Sequence, residues 1–227
     1  MPSATITFPG VDSQLAGTIK RLLGEGQRAK GVELFDELVL LHQRRASRIA
    51  YHYLRDLDEV DETVQDAFVK AFSGLASFHE DQPFEAWFTR ILINTCLDRR
   101  KARGRRSRRF VNLFDTSPGE RDGLERLSSP GPSPEESVLA AERREQIAGA
   151  LAQLPGRQRT VFILSHYDGC SSREVGEITG LQQSTVRVHL FRAIRRLRAL
   201  LATGVESEVR ARRGRAYAEP TSELRGA

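Results

Sequence analysis

The chain has 227 residues, with 35 Lys and Arg against 30 Asp and Glu, a formal charge of +5 and a pI near 9.6. That balance favours an acidic partner such as nucleic acid, and the length suits one large domain or two small ones. No apolar run approaches the roughly 18 residues of a membrane span. The N-terminal MPSATITFPGVDSQ lacks the basic stretch and apolar core of a secretion signal, so a cytoplasmic protein is expected. The two cysteines, Cys96 and Cys170, are far apart and have no zinc-ligand spacing. Both are read as buried thiols, with no metal and no cofactor expected.

Residues 1–28 form an N-terminal extension, either a mobile arm or a single weak helix around Ile19, Leu22 and Leu23. Residues 29–106 read as a first helical domain holding most of the aromatics. Within it Asp56, Asp58, Glu59, Asp61, Glu62 and Asp66 crowd the start of a helix whose core side is Val64, Phe68, Ala71 and Phe72. A helix dipole favours acids at its N-terminus, yet this density exceeds what capping needs, and an acidic patch suits a basic protein surface. Further on, Arg99, Arg100, Lys101, Arg103, Arg105, Arg106, Arg108 and Arg109 place eight cations in eleven residues. Such a strip binds a phosphate backbone with steep salt dependence. The acidic and basic patches are expected on opposed faces of the domain. Between them Phe84, Trp87, Phe88 and Ile91 recur at helical steps and read as core. Asn94 and Asp98, four apart, can present hydrogen-bonding groups to an exposed base.

Residues 107–134 read as a flexible linker, marked by glycine, serine and Pro118, Pro130, Pro132 and Pro134. Residues 135–202 form a second helical domain. There Ser171 and Glu174 make a capping box, Val175 and Ile178 share a face, and Gly180 is suited to a left-handed helix end. A second helix follows, with the apolar stripe Val186, Leu190, Ala193 and Leu197. Away from that stripe lie Arg187, His189, Arg192, Arg195, Arg196 and Arg198. Two short helices joined at a glycine, the second rich in arginine, are the pattern of a helix-turn-helix reader of duplex DNA. Residues 203–227 are expected to be a poorly ordered tail beyond a frayed first turn. The fold class is all-α, with two small helical domains joined by a linker.

Two blocks together carry a family resemblance. DEVDETVQDAFVKAFSGLASFHEDQPFEAWFTRILINTCLDRRKARGRR, residues 58–106, resembles the second conserved region of bacterial extracytoplasmic-function sigma factors. LAQLPGRQRTVFILSHYDGCSSREVGEITGLQQSTVRVHLFRAIRRLR, residues 151–198, resembles their fourth region. The resemblance implies a protein that binds core RNA polymerase, recognises minus-35 and minus-10 promoter elements and promotes melting. It implies that Glu59, Asp61, Glu62, Gln65 and Asp66 dock on the clamp helices of the largest subunit, with a further contact to the polymerase flap region. Phe78, Asn94, Asp98, Lys101 and Arg105 are implied for the minus-10 element, with the loop Phe78–Pro83 capturing a flipped base. Ser184, Arg187, Val188, His189, Phe191 and Arg192 are implied for the minus-35 element. Many relatives carry serine and arginine where this chain has Val188 and His189, so a different base preference is expected, with Val188 able to pack on a thymine methyl. The resemblance further implies an anti-sigma partner and a linker that runs through the polymerase channel. On sequence alone a passive tether serves the linker nearly as well.

Two other readings are open to the residues themselves. A helix-turn-helix regulator acting without polymerase would leave the acidic helix and the base-capturing block without a use. A nuclease is disfavoured, because His42, His52, His79, His166 and His189 are scattered and no Gly-rich phosphate loop is present.

Overall fold

In the computed structural model the backbone is described for residues 10–110 and 134–216, and side chains for 10–104 and 142–202. Every regular element among them is helical. The order is α1 (Val11–Gly24), α2 (Arg28–Leu54), α3 (Leu57–Gly74), a 3₁₀ turn (Leu75–Ser77), α4 (Phe84–Phe110), α5 (Pro134–Ala152), α6 (Gly156–Phe162), a π-helical turn (Ile163–Tyr167), α7 (Ser172–Thr179) and α8 (Gln183–Ala216). Most of the linker, residues 111–133, lies outside the described residues, as do 1–9 and 217–227. The N-terminal extension contains a full helix, α1, that enters the core, and α8 continues to Ala216 where a poorly ordered tail was expected.

Local chemistry sets the joints. Asp56 caps α3 by accepting a hydrogen bond from the Glu59 amide at 2.9 Å, and Asp58 and Glu59 occupy the dipole-favoured first turn. The α2 to α3 corner turns on Arg55, whose φ of 63° is left-handed and unusual for a residue with a side chain. Its guanidinium lies 5.6 Å from the Tyr51 ring centroid, a cation-π contact at that corner.

The first four helices enclose an aromatic core. Phe68 stacks on Phe88 with ring centroids 4.4 Å apart, Phe78 meets Phe84 edge to face, and Trp87 lies tilted against both. This core does not stop at the domain boundary. Val161, Ile163, Leu164, Cys170, Val175, Ile178 and Val186 of the second half belong to the same buried cluster. A smaller core of Ala150, Leu151, Leu154, Phe162, Ala193 and Leu197 joins α5, α6 and α8.

Polar contacts close the seam between the halves. Arg45 on α2 donates to both carboxylate oxygens of Asp168, at 2.5 and 3.2 Å, and to Thr89 on α4 at 2.7 Å. Glu85 adds a second carboxylate 3.0 Å from Arg45 Nε. Tyr53 donates to Thr160 at 2.9 Å, both side chains buried. His52 stacks on Tyr167 with centroids 3.8 Å apart. Arg90 on α4 donates to the carbonyls of Ile178, at 2.9 Å, and Glu177, at 2.5 Å, near the C-terminus of α7, where a cation is favoured by the helix dipole. The π-helical turn delivers Asp168 to this seam. Its amide donates to the Ile163 carbonyl five residues back, at 3.1 Å.

Candidate nucleic-acid interface

The helix-turn-helix forms as its residues dictate. Ser171 and Glu174 make the reciprocal capping box, and Gly180 ends α7 with φ 73°. The joint needs a second glycine that spacing alone did not reveal. A Cβ on Gly176 would lie 2.7 Å from the Leu181 carbonyl oxygen, so the turn can close over α7 only where no side chain stands. On α8, Val186 and Ala193 are fully buried and Leu197 nearly so, which fixes the opposite face outward. Ser184, Arg187, Val188, Phe191 and Arg192 are exposed there. Val188 at 46 % and Phe191 at 67 % exposure are large apolar groups in water beside two arginines. His189 differs from the rest of the predicted set. It is half-buried, and its Nδ1 is enclosed with no hydrogen-bond partner among the described residues.

On α4, Arg90, Asn94 and Asp98 follow at steps of four along one face. Asn94 and Asp98 are exposed, and Lys101 lies 3.4 Å from Asp98. Arg90 belongs to this stripe by helical spacing, a signal as weak as any exposed arginine gives, and here it is engaged with α7. Phe78 is fully buried between Phe84 and Trp87, so its ring holds the loop rather than facing outward. The side chains of Arg105, Arg106, Arg108 and Arg109 lie outside the described residues.

The acidic and basic patches are neighbours, which corrects the expectation of opposed faces. Helices α3 and α4 pack side by side, and Arg99 reaches Glu62 and, at 3.7 Å, Asp66. Arg103 lies 3.3 Å from Glu59. Asp61 and Gln65 point elsewhere, onto the rim of a groove of 510 Å³ between α2 and α3. Phe35, Val64, Phe68 and Phe72 line it, and exposed Val32 and Val69 flank it. Arg28 stands at its edge, 5.6 Å from the Phe72 centroid. Helical spacing foretold the buried side of α3, but the groove required knowing which helix lies beside it.

The buried thiols are inert by environment. Burial pushes Cys96 up to about 12, and burial with the adjacent Asp168 carboxylate does the same to Cys170. Among the described residues no group of His, Cys, Asp or Glu is arranged to hold a metal ion, and no helix is long and apolar enough to cross a membrane.

Comparison with known proteins agrees with both blocks. Residues 38–106 match the family described as Sigma-70 region 2, and residues 144–197 match Sigma-70, region 4. The chain is 32 % identical over 161 residues to the RNA polymerase sigma-H factor of Pseudomonas aeruginosa, covering 70 % of this chain and 81 % of that one. It is equally similar, at 32 % over 161 residues and with 82 % of the relative covered, to the ECF RNA polymerase sigma-E factor of Escherichia coli K12. Among solved structures, that of CnrH in complex with the cytosolic domain of CnrY superposes with a TM-score of 0.58 at 25 % identity, covering 86 % of this chain and 99 % of that one. The sigma factor RpoE of Bartonella quintana, solved in complex with the anti-sigma factor NepR, shares the fold at a TM-score of 0.55 and 24 % identity. With both regions matched in order and the helices that carry them in place, the chain belongs to the extracytoplasmic-function sigma factors of RNA polymerase.

Proposed function

We propose that this sigma factor engages core RNA polymerase through the α2–α3 groove and its acidic rim, and reads the promoter at two places with α8 and α4. Asp61 and Gln65, with Glu59, Glu62 and Asp66 behind them, meet a basic helical surface of the polymerase, and the groove accepts its apolar side chains. The ion pairs that Glu59, Glu62 and Asp66 make with Arg99 and Arg103 are exposed to solvent, and such pairs are worth about 0–1 kcal/mol, so a partner exchanges them readily. Arg187 and Arg192 contact phosphates or guanine edges of the minus-35 element, while Val188 and Phe191 present apolar surface to thymine methyls or sugars. Ser184, in the first turn of α8, supports the same docking, and half-buried His189 acts from the edge of the contact. Asn94 and Asp98 capture a minus-10 base flipped from the opening duplex, with Lys101 and Arg105 along its backbone. Phe78 serves this site by fixing the loop from inside. The factor acts with polymerase in the cytoplasm, carries no chemistry of its own, and is held in check by an anti-sigma protein.

The two readings require the halves to part. Minus-35 and minus-10 elements lie about 25 base pairs apart, roughly 80 Å along B-DNA. A compact chain of this length has a radius of gyration of roughly 17 Å. The segment 111–133 between α4 and α5 would reach roughly 80 Å if fully extended, enough for the separated halves to span both elements.

The observation that carries this reading is the exposed Asn94 and Asp98 stripe in the same chain as a helix-turn-helix whose outward face is cationic and apolar. Run-off transcription with purified core polymerase tests it. Promoter-dependent initiation is expected, with Asn94→Ala lowering open-complex formation about tenfold while duplex binding at minus-35 stays intact. Specific duplex binding without any initiation would favour a regulator that works without polymerase.

A further inference from the structure

The loop 78–83 between the 3₁₀ turn and α4 has little regular structure of its own, and it is braced from the side by α1. Ser13, Gly17 and Lys20, at steps of four and three, form one face of that helix and all three meet the loop or its ends. Ser13, 1 % exposed, accepts a hydrogen bond from the Phe84 amide at 2.9 Å and so caps the first turn of α4. Glu80 lies so close over Gly17 that a Cβ there would stand 2.7 Å from the carboxyl carbon. Lys20 Nζ donates to the Phe78 carbonyl at 2.7 Å, a charge-assisted bond to the residue that ends the 3₁₀ turn. The brace is itself anchored. Ala16 and Ile19 are fully buried, and Asp12 pairs with His42 on α2 at 3.4 Å.

We propose that Lys20 is a positioning residue for base capture, fixing the loop 78–83 relative to Asn94, with Gly17 as its accessory. The inference rests on the reading that this loop and Asn94 hold the minus-10 base. Burial already anchors the loop ends, since Phe78 and Phe84 are both fully enclosed. A half-buried lysine adds little to that anchoring, and it gives up side-chain entropy to be held. What the lysine adds is direction. A carbonyl fixed by a short ionic hydrogen bond leaves the loop one orientation where the apolar anchors alone permit several. Gly17 leaves the room in which the Glu80 carboxylate lies directly against α1.

The test uses holoenzyme reconstituted with core polymerase on a promoter carrying 2-aminopurine beside the captured base. Lys20→Met is expected to lower the fluorescent base-capture signal about tenfold, the loss typical of one hydrogen bond to a charged group. Lys20→Arg is expected to restore it to within about twofold, and Gly17→Ala to lower it about threefold by displacing Glu80. Minus-35 duplex binding and the salt slope of promoter binding are expected to stay at wild-type values. Base capture within twofold of wild type in Lys20→Met, beside a tenfold loss in Asn94→Ala, would overturn the positioning role and leave the base-capture reading standing. A salt slope lowered by about one would also overturn it, because Lys20 would then be a direct phosphate contact. A silent Asn94→Ala would instead sink the base-capture reading itself, and the positioning role with it.

Discussion

His52 shows how a single side chain ties the packed state to proton concentration. Burial, reinforced by the nearby Arg55 guanidinium, pushes its pKa from 6.5 down to about 4 while it stacks on Tyr167. The unfolded chain therefore binds a proton that the folded chain resists. Stability from this site is complete above pH 6.5 and falls as the pH drops towards 4. Allowing for its partial exposure, the loss is on the order of 2 kcal/mol. Urea unfolding at neutral pH and near pH 4.5 is expected to show that loss, and His52→Phe, which keeps the stack, is expected to shrink it.

At the scale of elements, the helix-turn-helix was the most legible part of the chain because its signals are local. Ser171, Glu174 and Gly180 act within a few residues of themselves, and the structure uses each as expected. Gly176 was not legible, since its role depends on the Leu181 carbonyl folding back over it. Gly176→Ala is expected to push the turn off α7, costing about 1–3 kcal/mol and weakening minus-35 duplex binding with little change in polymerase affinity. Thermal unfolding and a duplex binding titration check both parts. The burial of helix α1 in the core was illegible for a related reason. Its buried face includes Ser13 and Gly17, which carry no hydrophobic signal, so its few apolar residues look too weak to enter a core. The misplacement of the charged patches has a different origin. Residues 58–66 and 99–109 are distant in sequence, and only the side-by-side packing of α3 on α4 turns them into cross-paired neighbours.

At the scale of the molecule, two units distinct in sequence share one buried core, and composition could not announce this. The apolar residues of α6 and α7 that enter the first core look the same in sequence as residues serving a core of their own. The seam is specified by polar groups, chiefly Arg45 against Asp168, whose side chains are 17 % and 4 % exposed. Removing one member of a buried pair leaves the other charge without compensation. Arg45→Ala is expected to cost about 3 kcal/mol in urea unfolding and, in small-angle scattering, to enlarge the radius of gyration of the free protein as the halves separate. A variant that unfolds earlier yet stays as compact as wild type would show that the apolar seam alone holds the halves together.

The π-helical turn makes chain length itself a structural variable. Each residue of an α-helix advances about 100° around the axis. Removing one residue from Ile163–Tyr167 would restore an ordinary helical register, a locally favourable change, yet swing Asp168 roughly a quarter turn away from Arg45. The alignment of the two halves thus depends on one surplus residue, and deleting the single codon of Ser165 or His166 would uncouple them while keeping the core side chains Ile163 and Leu164 and the Tyr167 ring that make the seam.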